Sequence, residues 1–365
     1  MSFNNLICFD ENFETNENDN NNNEGLAKTI DTLPWIEKYR PKTLSEIISN
    51  NHVINTLSIF IKNKCLPHLL FYGQSGVGKT SGITACAKEL YGQYYPFMVM
   101  ELNASDDRGI EVVRNKIKQF VTAKNVFFGM TESERLGMFK LVILDETDAM
   151  TSDAQAILRK IVEKYTNTTR FCLICNYIQK INPALQSRCT KFRFSPLNND
   201  EIKKRVMTII KQEKIKVTAS GLEAILKIAR GDMRKVLNNL QSTSMAYQIV
   251  NEKNVNNCLG YPRKMQIEEL INSLIEDEFS IVYDKLLSLR VDDGLSLNDI
   301  IIELHDILVE FIINKTHEYK SIKKLNTDKL IFILDKLRDI EYNQSLNTNE
   351  DFQMGAVIGA FKLIL

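Results

Sequence analysis

The chain has 365 residues, of which 44% are hydrophobic and 25% are charged. This composition is that of a folded protein with more than one domain, and it excludes a chain that is disordered or fibrous throughout. Lysine plus arginine and aspartate plus glutamate both number 46, so no net charge draws the chain to nucleic acid. Any contact with DNA must therefore come from a local basic face.

Residues 1–30 form a polar, asparagine-rich segment. Such a composition buries too little apolar surface to offset the entropy of ordering, and it predicts a disordered tail. The segment lacks a basic start followed by an apolar stretch, so it does not indicate a secretory signal. Apolar runs fall far short of the roughly 20 residues of a membrane helix. The seven cysteines are an odd number, and we expect an intracellular protein with free thiols and no membrane contact.

Short apolar runs alternate with helical patterns in residues 31–196. The runs lie at 68–72, 98–102, 139–144, 170–175 and 191–194. Several are apolar throughout, as parallel strands buried on both faces are. The pattern predicts an α/β domain with a five-stranded parallel sheet and helices on both of its faces.

The pair Cys172 and Cys175 has the spacing of half a zinc site. It falls within a predicted strand, where positions three apart face opposite sides, and neither a second CxxC nor a CxxH follows. We therefore interpret both cysteines as core residues.

Helical periodicity replaces the strand pattern after residue 196. Predicted helices lie at 200–212, 219–229, 233–247, 265–276, 280–289, 297–315, 327–342 and 351–364. A break at Gly260 divides them into a small helical domain, residues 197–260, and a C-terminal bundle, residues 261–365. A leucine and isoleucine stripe at helical spacing is normally a core face, with oligomerisation as the alternative for the bundle.

Residues 73–80 read Gly-Gln-Ser-Gly-Val-Gly-Lys-Thr and match the phosphate-loop motif GxxxxGK[ST]. The motif follows a predicted strand and opens a helix, as it must if backbone amides are to surround a phosphate. Lys79 should reach the β- and γ-phosphates of ATP, and Thr80 should bind Mg²⁺. A chance glycine-rich turn is the alternative. The predicted ATP-binding residues in this segment are Gly73, Gln74, Ser75, Gly76, Val77, Gly78, Lys79, Thr80 and Ser81.

Asp145 and Glu146 end the predicted strand at 139–144. Open α/β sheets bind ligands at the carboxyl ends of their strands. Asp145 is placed to hold magnesium, mostly through water, and Glu146 to polarise the attacking water as a base. Helix capping is the alternative for the acidic pair alone.

Three further polar residues are candidates for the same chemistry. Asn176 ends the strand at 170–175 and would emerge at the same edge as Asp145, unless it only begins a turn. Arg234 lies in the first turn of a helix that the preceding Gly-Asp pair begins, and a solvated arginine is the alternative. Arg188 lies too late to serve its own phosphate loop; supply to another subunit's nucleotide competes with an ordinary surface ion pair.

Basic residues on two helices suggest DNA contacts. Arg108 precedes a helix on which Arg114 and Lys118 share a face, and Arg159 lies on the helix after the acidic pair. Such a face could follow phosphates without reading bases. A solvated charged face is the alternative.

Four stretches carry a family resemblance. Residues 33–41 read Leu-Pro-Trp-Ile-Glu-Lys-Tyr-Arg-Pro, 101–109 read Glu-Leu-Asn-Ala-Ser-Asp-Asp-Arg-Gly, 187–189 read Ser-Arg-Cys and 231–234 read Gly-Asp-Met-Arg. From about residue 33 to its end, the chain resembles the small subunits of replication factor C, which are AAA+ ATPases. It looks most like the branch called subunit 5 in animals and subunit 3 in fungi.

The resemblance implies an AAA+ module, a helical lid and a collar domain that joins five subunits in an arc. In that family the hetero-pentamer opens the sliding clamp PCNA and places it on primer-template double-stranded DNA in the nucleus. By the same resemblance the chain is an ATPase that the clamp and DNA stimulate.

The resemblance also implies roles for single residues. Asn176 becomes the first sensor, Arg234 the second sensor on the lid, and Arg188 the finger that completes a neighbour's ATP site. The segment from Ile36 to Arg40 and the backbone near Ile48 hold the adenine and ribose side. The helices that begin near Arg108 and Asp153 line the spiral around duplex DNA.

The chain departs from the family pattern at several positions. Gln74, Ser75 and Val77 stand where the family usually has two prolines and a threonine, and Thr147 stands where alanine is common. The stretch at 126–138 looks a few residues longer than usual. Since the phosphate-binding lysine and the acidic pair are intact, we expect ATP binding and hydrolysis to survive.

Two other functions remain open. One is a ring subunit that binds ATP and supplies Arg188 without hydrolysing ATP itself; the intact Lys79, Asp145 and Glu146 argue against it. The other is a different AAA+ protein acting on DNA, such as an initiator or a branch-migration motor. Those would be expected to end in a winged-helix domain with short strands, whereas residues 262–365 show only helical periodicity.

Overall fold

The computed structural model describes residues 33–48, 50–105, 110–123, 138–314, 322, 325–346 and 348–364. The predicted tail at 1–30, Arg108 and nearly all of the 126–138 stretch lie outside these ranges. The described chain divides into two compact units. The first holds the described residues up to 215 together with 225–241, and the second holds 216–224 and the described residues from 242 onward.

The first unit is built on a five-stranded sheet. Its strands are β1 (Leu69–Gly73), β2 (Val99–Asn103), β3 (Lys140–Asp145), β4 (Thr169–Cys175) and β5 (Thr190–Phe194). Their order is β2-β3-β4-β1-β5, and every neighbouring pair is parallel. The predicted five-stranded parallel sheet is thus confirmed, with strand ends shifted by no more than one residue. Strand β3 is buried from Lys140 to Leu144 and emerges at Asp145, so the sheet delivers the acidic pair to its carboxyl edge.

Side chains alternate between two cores on opposite faces of the sheet. Phe71 and Cys172 belong to one core, and Leu144 and Cys175 belong to the other. The two cysteines of the CxxC pair therefore point to opposite faces, which confirms their interpretation as core residues. All six described cysteines are free.

Helices make up most of the remaining described chain. In chain order they are α1 (Trp35–Lys38), α2 (Asn51–Lys62), α3 (Lys79–Tyr91), α4 (Tyr95–Met98), α5 (Ile110–Thr122), α6 (Ser152–Tyr165), α7 (Pro183–Gln186), α8 (Asn199–Glu213), α9 (Ala219–Ala229), α10 (Met233–Ala246), α11 (Glu252–Leu259), α12 (Lys264–Glu276), α13 (Phe279–Val291), α14 (Leu297–Asn314), α15 (Thr327–Ser345) and α16 (Glu350–Lys362). Helices α2 and α3 contribute to one core of the sheet, and α5 and α6 contribute to the other. Both faces of the sheet are therefore covered, as predicted.

Side-chain caps define where several of these helices begin. The Thr151 hydroxyl accepts a hydrogen bond from the Ala154 amide at the start of α6, and the Asn198 side chain accepts one from the Asp200 amide at the start of α8. Such caps satisfy amides that the first turn leaves unpaired.

The second unit contains helices and one very short strand pair. Strands β6 (Lys216–Val217) and β7 (Ile249–Val250) are parallel, and the sequence pattern did not predict them because two residues cannot show an alternation. Apolar residues of α12 to α16 form one core, including Leu270, Leu304 and Val357. Within the described residues, no helix has both the length and the hydropathy that crossing a membrane requires.

Candidate nucleotide site

The loop between β1 and α3 has the geometry that its glycines permit. Gly73 ends β1 at φ 146°, where a Cβ atom would lie 2.2 Å from the carbonyl oxygen of Phe194 in the neighbouring strand. Gly76 lies at φ 65°, in the left-handed region that side chains disfavour. Helix α3 begins at Lys79, so the loop presents a helix N-terminus to the site.

Lys79 is held in the centre of this loop. Its ammonium donates hydrogen bonds to the carbonyl oxygens of Gly73 (2.8 Å) and Gln74 (2.7 Å) and to Oδ1 of Asn176 (2.9 Å). Burial lowers the pKa of Lys79, and the nearby Asp145 carboxylate opposes that shift. All three acceptors are neutral, so the positive charge of the ammonium is left to attract an anion such as a phosphate.

The two acidic residues have different environments. Both Asp145 oxygens accept hydrogen bonds: Oδ2 from the Thr80 hydroxyl (2.6 Å) and Oδ1 from the Glu146 amide (2.8 Å). Glu146 is exposed and adopts a left-handed conformation, with φ 52° and ψ 38°, that turns its side chain off the end of β3. A fixed carboxylate beside an exposed one matches the division between a metal-holding acid and a base.

Oxygen ligands at this site suit magnesium. The Thr80 hydroxyl and the Asp145 carboxylate are adjacent hard donors, and Mg²⁺ commonly keeps waters and binds substrate phosphates besides one or two carboxylates. Among the described residues, there is no group of three or more histidine, cysteine, aspartate or glutamate side chains that could hold a metal ion. The Thr80 hydroxyl and the Asp145 carboxylate together fit Mg²⁺ bound with a nucleotide phosphate.

Asp148 positions Asn176, a function that sequence reasoning did not assign. Its Oδ2 accepts hydrogen bonds from the backbone amides of Asn176 and Tyr177, both at 3.2 Å. Asp148 lies in the short turn Thr147–Ala149 after the acidic pair. Thr147, one of the departures from the family pattern, is buried and donates its hydroxyl hydrogen bond to the Leu144 carbonyl at 3.0 Å.

Most of the predicted nucleotide-site residues line one cavity of about 410 Å³ in the first unit. Of the predicted ATP-binding and catalytic residues, the cavity is lined by Ile36, Arg40, Ile48, Ser75, Gly76, Val77, Gly78, Lys79, Thr80, Ser81, Asp145, Glu146, Asn176 and Arg234. Gly73 and Gln74 do not line the cavity, and their carbonyls accept the hydrogen bonds that hold Lys79. Tyr39, within the predicted segment from Ile36 to Arg40, also lines the cavity. So do Leu197, Arg205, Met233 and Leu237, to which sequence reasoning gave no role. They come from the residues before α8, from α8 and from α10, so no motif along the chain connects them.

Comparisons with known proteins match the whole described architecture. Residues 69–197 match the model "ATPase family associated with various cellular activities (AAA)", 199–255 match "RFC1-like, AAA+ ATPase lid domain" and 262–360 match "Replication factor C C-terminal domain". The human protein "Replication factor C subunit 5" is 44% identical to this chain over 92% of the chain and 94% of that protein. The chain belongs to the replication factor C family.

Other replication factor C proteins show the same extent of similarity. "Replication factor C subunit 3" of Saccharomyces cerevisiae is 42% identical over 92% of this chain and 94% of its own length. "Probable replication factor C subunit 5" of Dictyostelium discoideum is 45% identical over 92% of both chains. The family and the predicted branch are both confirmed, and the chain is an AAA ATPase.

Arg188 of this replication factor C chain lies away from the cavity of its own subunit. Its guanidinium forms an ion pair with Glu163 on α6 and donates a hydrogen bond to the Ala184 carbonyl at 2.6 Å. Glu163 is shared with Arg159, whose Nε lies 3.0 Å from the same oxygen. The hydrogen bond from Arg159, supported by the charge of Arg188, lowers the pKa of Glu163.

The predicted DNA-contacting residues are only partly described. Lys118 is exposed on α5, and Arg159 is exposed on α6. Arg108 lies outside the described residues, as does the side chain of Arg114. Helices α5 and α6 pack on the same core, so Lys118 and Arg159 belong to neighbouring elements.

Proposed function

We propose that this chain is one of the ATP-binding and ATP-hydrolysing subunits of a clamp loader, a complex that opens the sliding clamp PCNA and places it on primer-template DNA in the nucleus. The observation that carries the proposal is the assembly of Lys79, Thr80, Asp145, Glu146 and Asn176 in one cavity. Membership of the replication factor C family gives the chemistry its setting.

Each residue has a proposed role that follows from its contacts. Lys79, now bonded to neutral oxygens, exchanges them for the β- and γ-phosphates of ATP. Thr80 and Asp145 hold Mg²⁺, which neutralises phosphate charge when bound. Glu146 polarises the attacking water, and Asn176 orients it from the neighbouring strand.

The rest of the cavity fits the nucleoside and the γ-phosphate. Ile36, Arg40 and Ile48 lie on the wall that we assign to adenine and ribose, and Arg234 enters from the start of α10. Arg234 and Lys79 both line this cavity, and two cations in one cavity favour the binding of an anion.

Residues that do not line the cavity suggest how the chain contacts neighbouring subunits. We assign Arg188 to the ATP site of a neighbouring subunit in a hetero-pentamer, because it is about one-third exposed and does not line its own cavity. The C-terminal helices expose apolar side chains that a collar between subunits would cover. These are Met265, Phe279, Ile281, Val291, Phe352 and Leu363.

Contacts to the DNA backbone are assigned to the basic residues of the first unit. Lys118 and Arg159 are exposed on helices that share one core, and Arg108 and Arg114 are assigned from the sequence alone. Side chains of this kind bind phosphates without reading sequence.

The test uses a reconstituted clamp loader in which the phosphate-loop lysine of every other ATP-binding subunit is replaced. In this single-site background, Glu146→Gln should lower clamp- and DNA-stimulated hydrolysis about 100-fold, as loss of a general base does, and leave ATP affinity within about 3-fold. Unchanged turnover would contradict the assignment of Glu146 as the base. Absence of any turnover in the single-site background before this substitution would identify the subunit as one that binds ATP without hydrolysing it.

Arg188→Ala provides the complementary measurement. In the single-site background it should leave hydrolysis by this chain unchanged, because the arginine serves another site. With all sites intact it should slow total hydrolysis. Loss of this chain's own ATP binding would contradict the role in trans.

A further inference from the structure

The phosphate loop is hydrogen-bonded to the residues that begin α10. The Ser75 hydroxyl donates to Oδ2 of Asp232 at 2.7 Å. A second bond joins the same two segments, from the Met233 amide to the Gly76 carbonyl at 3.2 Å. Ser75 is one of the positions at which the loop departs from its family pattern, and the role proposed above for the loop does not use its hydroxyl.

Asp232 links the loop to the helix that carries Arg234. Its other oxygen, Oδ1, accepts hydrogen bonds from the amides of Arg234 (2.8 Å) and Lys235 (3.2 Å), so the carboxylate is the N-terminal cap of α10. The carboxylate therefore receives three donors, two from α10 and one from the phosphate loop.

The contact is close-packed as well as polar. A Cβ atom on Gly76 would lie 1.6 Å from Oδ1 of Asp232, so the carboxylate occupies the space that any other residue at position 76 would fill. Asp232 is only 8% exposed. A buried carboxylate with three partners resists displacement, because losing one donor leaves part of its charge unpaired.

We infer that Ser75 and Asp232 form a latch that positions Arg234 over the phosphate loop and slows the release of ATP. The inference rests on the proposed function, which places Arg234 at the nucleotide. The helix cap determines where Arg234 leaves the backbone, and the Ser75 hydroxyl ties that cap to the loop that surrounds the phosphates. Ser75 and Asp232 are thus positioning residues that act through Arg234.

The experiment measures dissociation of a fluorescent, slowly hydrolysed ATP analogue from the reconstituted complex in the single-site background. Ser75→Ala should speed dissociation roughly 10-fold, as expected for loss of a hydrogen bond to a charged acceptor. Ser75→Thr restores the hydroxyl and should recover most of the slow release. Thr208→Ala removes a hydroxyl that bonds only to the Lys204 carbonyl of its own helix, and it should change the rate less than 2-fold.

The decisive measurement is the dissociation rate of the Ser75→Ala variant in a chain that also carries Arg234→Ala. Arg234→Ala alone should speed dissociation, and adding Ser75→Ala should change the rate less than 2-fold, because the latch then has no arginine to position. A full 10-fold effect in that background, or no effect of Ser75→Ala in the wild-type complex, overturns the latch and leaves the proposed function intact. An Arg234→Ala rate equal to wild type overturns both the latch and the proposed role of Arg234.

Discussion

The position of Asn176 depends on a neighbour that the phosphate-binding motif does not contain. Oδ2 of Asp148 accepts hydrogen bonds from the backbone amides of Asn176 and Tyr177. Oδ1 of Asn176 in turn accepts a hydrogen bond from the Lys79 ammonium. An Asn at the end of a strand would otherwise be free to turn with its loop. In the proposed mechanism, the orientation of the attacking water therefore depends on a carboxylate that lies two residues after Glu146.

Asp148→Ala should lower kcat about 10-fold and change ATP affinity by less than about 3-fold, because in the proposed mechanism the displaced Asn176 orients water rather than supplying most of the binding energy. Steady-state hydrolysis in the single-site complex, with ATP affinity measured in parallel, checks this. Asp200→Ala, at the exposed start of α8, is the matched control. An equal loss of affinity and kcat would show that Asp148 maintains the whole site instead.

His68 gives the first unit a dependence on pH. Its Nδ1 accepts a hydrogen bond from the Phe171 amide at 3.2 Å, which requires an unprotonated nitrogen. Burial, together with the charge of Arg170, lowers the pKa of His68 to about 4. The unfolded chain therefore binds a proton near pH 6.5 that the folded chain does not bind until about pH 4.

Above pH 7, His68 should therefore add no pH dependence to the free energy of unfolding of the first unit. That free energy should fall as the pH drops from about 6.5 towards 4.5. Allowing for partial contact with solvent, the loss is about 1–2 kcal/mol. Urea unfolding at several pH values measures it. His68→Asn keeps an acceptor that does not titrate in this range, and its unfolding free energy should fall less over the same interval.

At the scale of elements, a charged residue holds the end of α5. Lys140 begins β3 and is 3% exposed, yet its ammonium donates to the carbonyls of Phe120 (2.6 Å) and Ala123. It also lies 5.0 Å from the centre of the Phe120 ring. Carbonyls at a helix C-terminus lack partners within the helix and attract a cation, which is why a buried lysine is tolerated at this position.

Lys140→Met should lower the free energy of unfolding of the first unit by about 1–3 kcal/mol, because it leaves the two carbonyls without their donor. Lys118→Met, at an exposed position of α5, should change the free energy of unfolding by less than about 0.5 kcal/mol. Urea unfolding of both variants makes the comparison. Equal effects would mean that the α5 end is not held by Lys140.

At the scale of the whole molecule, the residues of the nucleotide site all lie in one of the two units. The chain's one tryptophan, Trp35, is buried in that same unit, with its ring 6.4 Å from that of Tyr39. Tryptophan fluorescence therefore reports on the nucleotide-binding unit, whereas the far-UV circular dichroism of the helices reports on both.

ATP with Mg²⁺ at 100 times its dissociation constant should stabilise the first unit by about 2.7 kcal/mol. The fluorescence midpoint in urea should rise, and the dichroism curve should separate into two steps, because the residues that line the nucleotide cavity all belong to the first unit. Lys79→Ala should abolish the shift. Fluorescence and dichroism curves that coincide with and without ATP would show instead that the two units unfold together.

The sequence determined the nucleotide chemistry because its determinants are local. The phosphate-loop glycines and Lys79 lie within eight residues, and a buried apolar strand necessarily ends where Asp145 and Glu146 begin. The five strands and most helices were predicted to within two residues for the same reason, since their periodicity reflects burial on one or both faces.

Only the tertiary structure decided which distant residues meet. Asp148 and Asn176 are 28 residues apart, and Ser75 and Asp232 are 157 apart, so no spacing rule connects either pair. The walls of the cavity, the cap that Lys140 provides and the strand pair β6 and β7 likewise depend on contacts between elements. Periodicity reports which face of an element is buried, but the partner against which that face packs is determined when the whole chain folds.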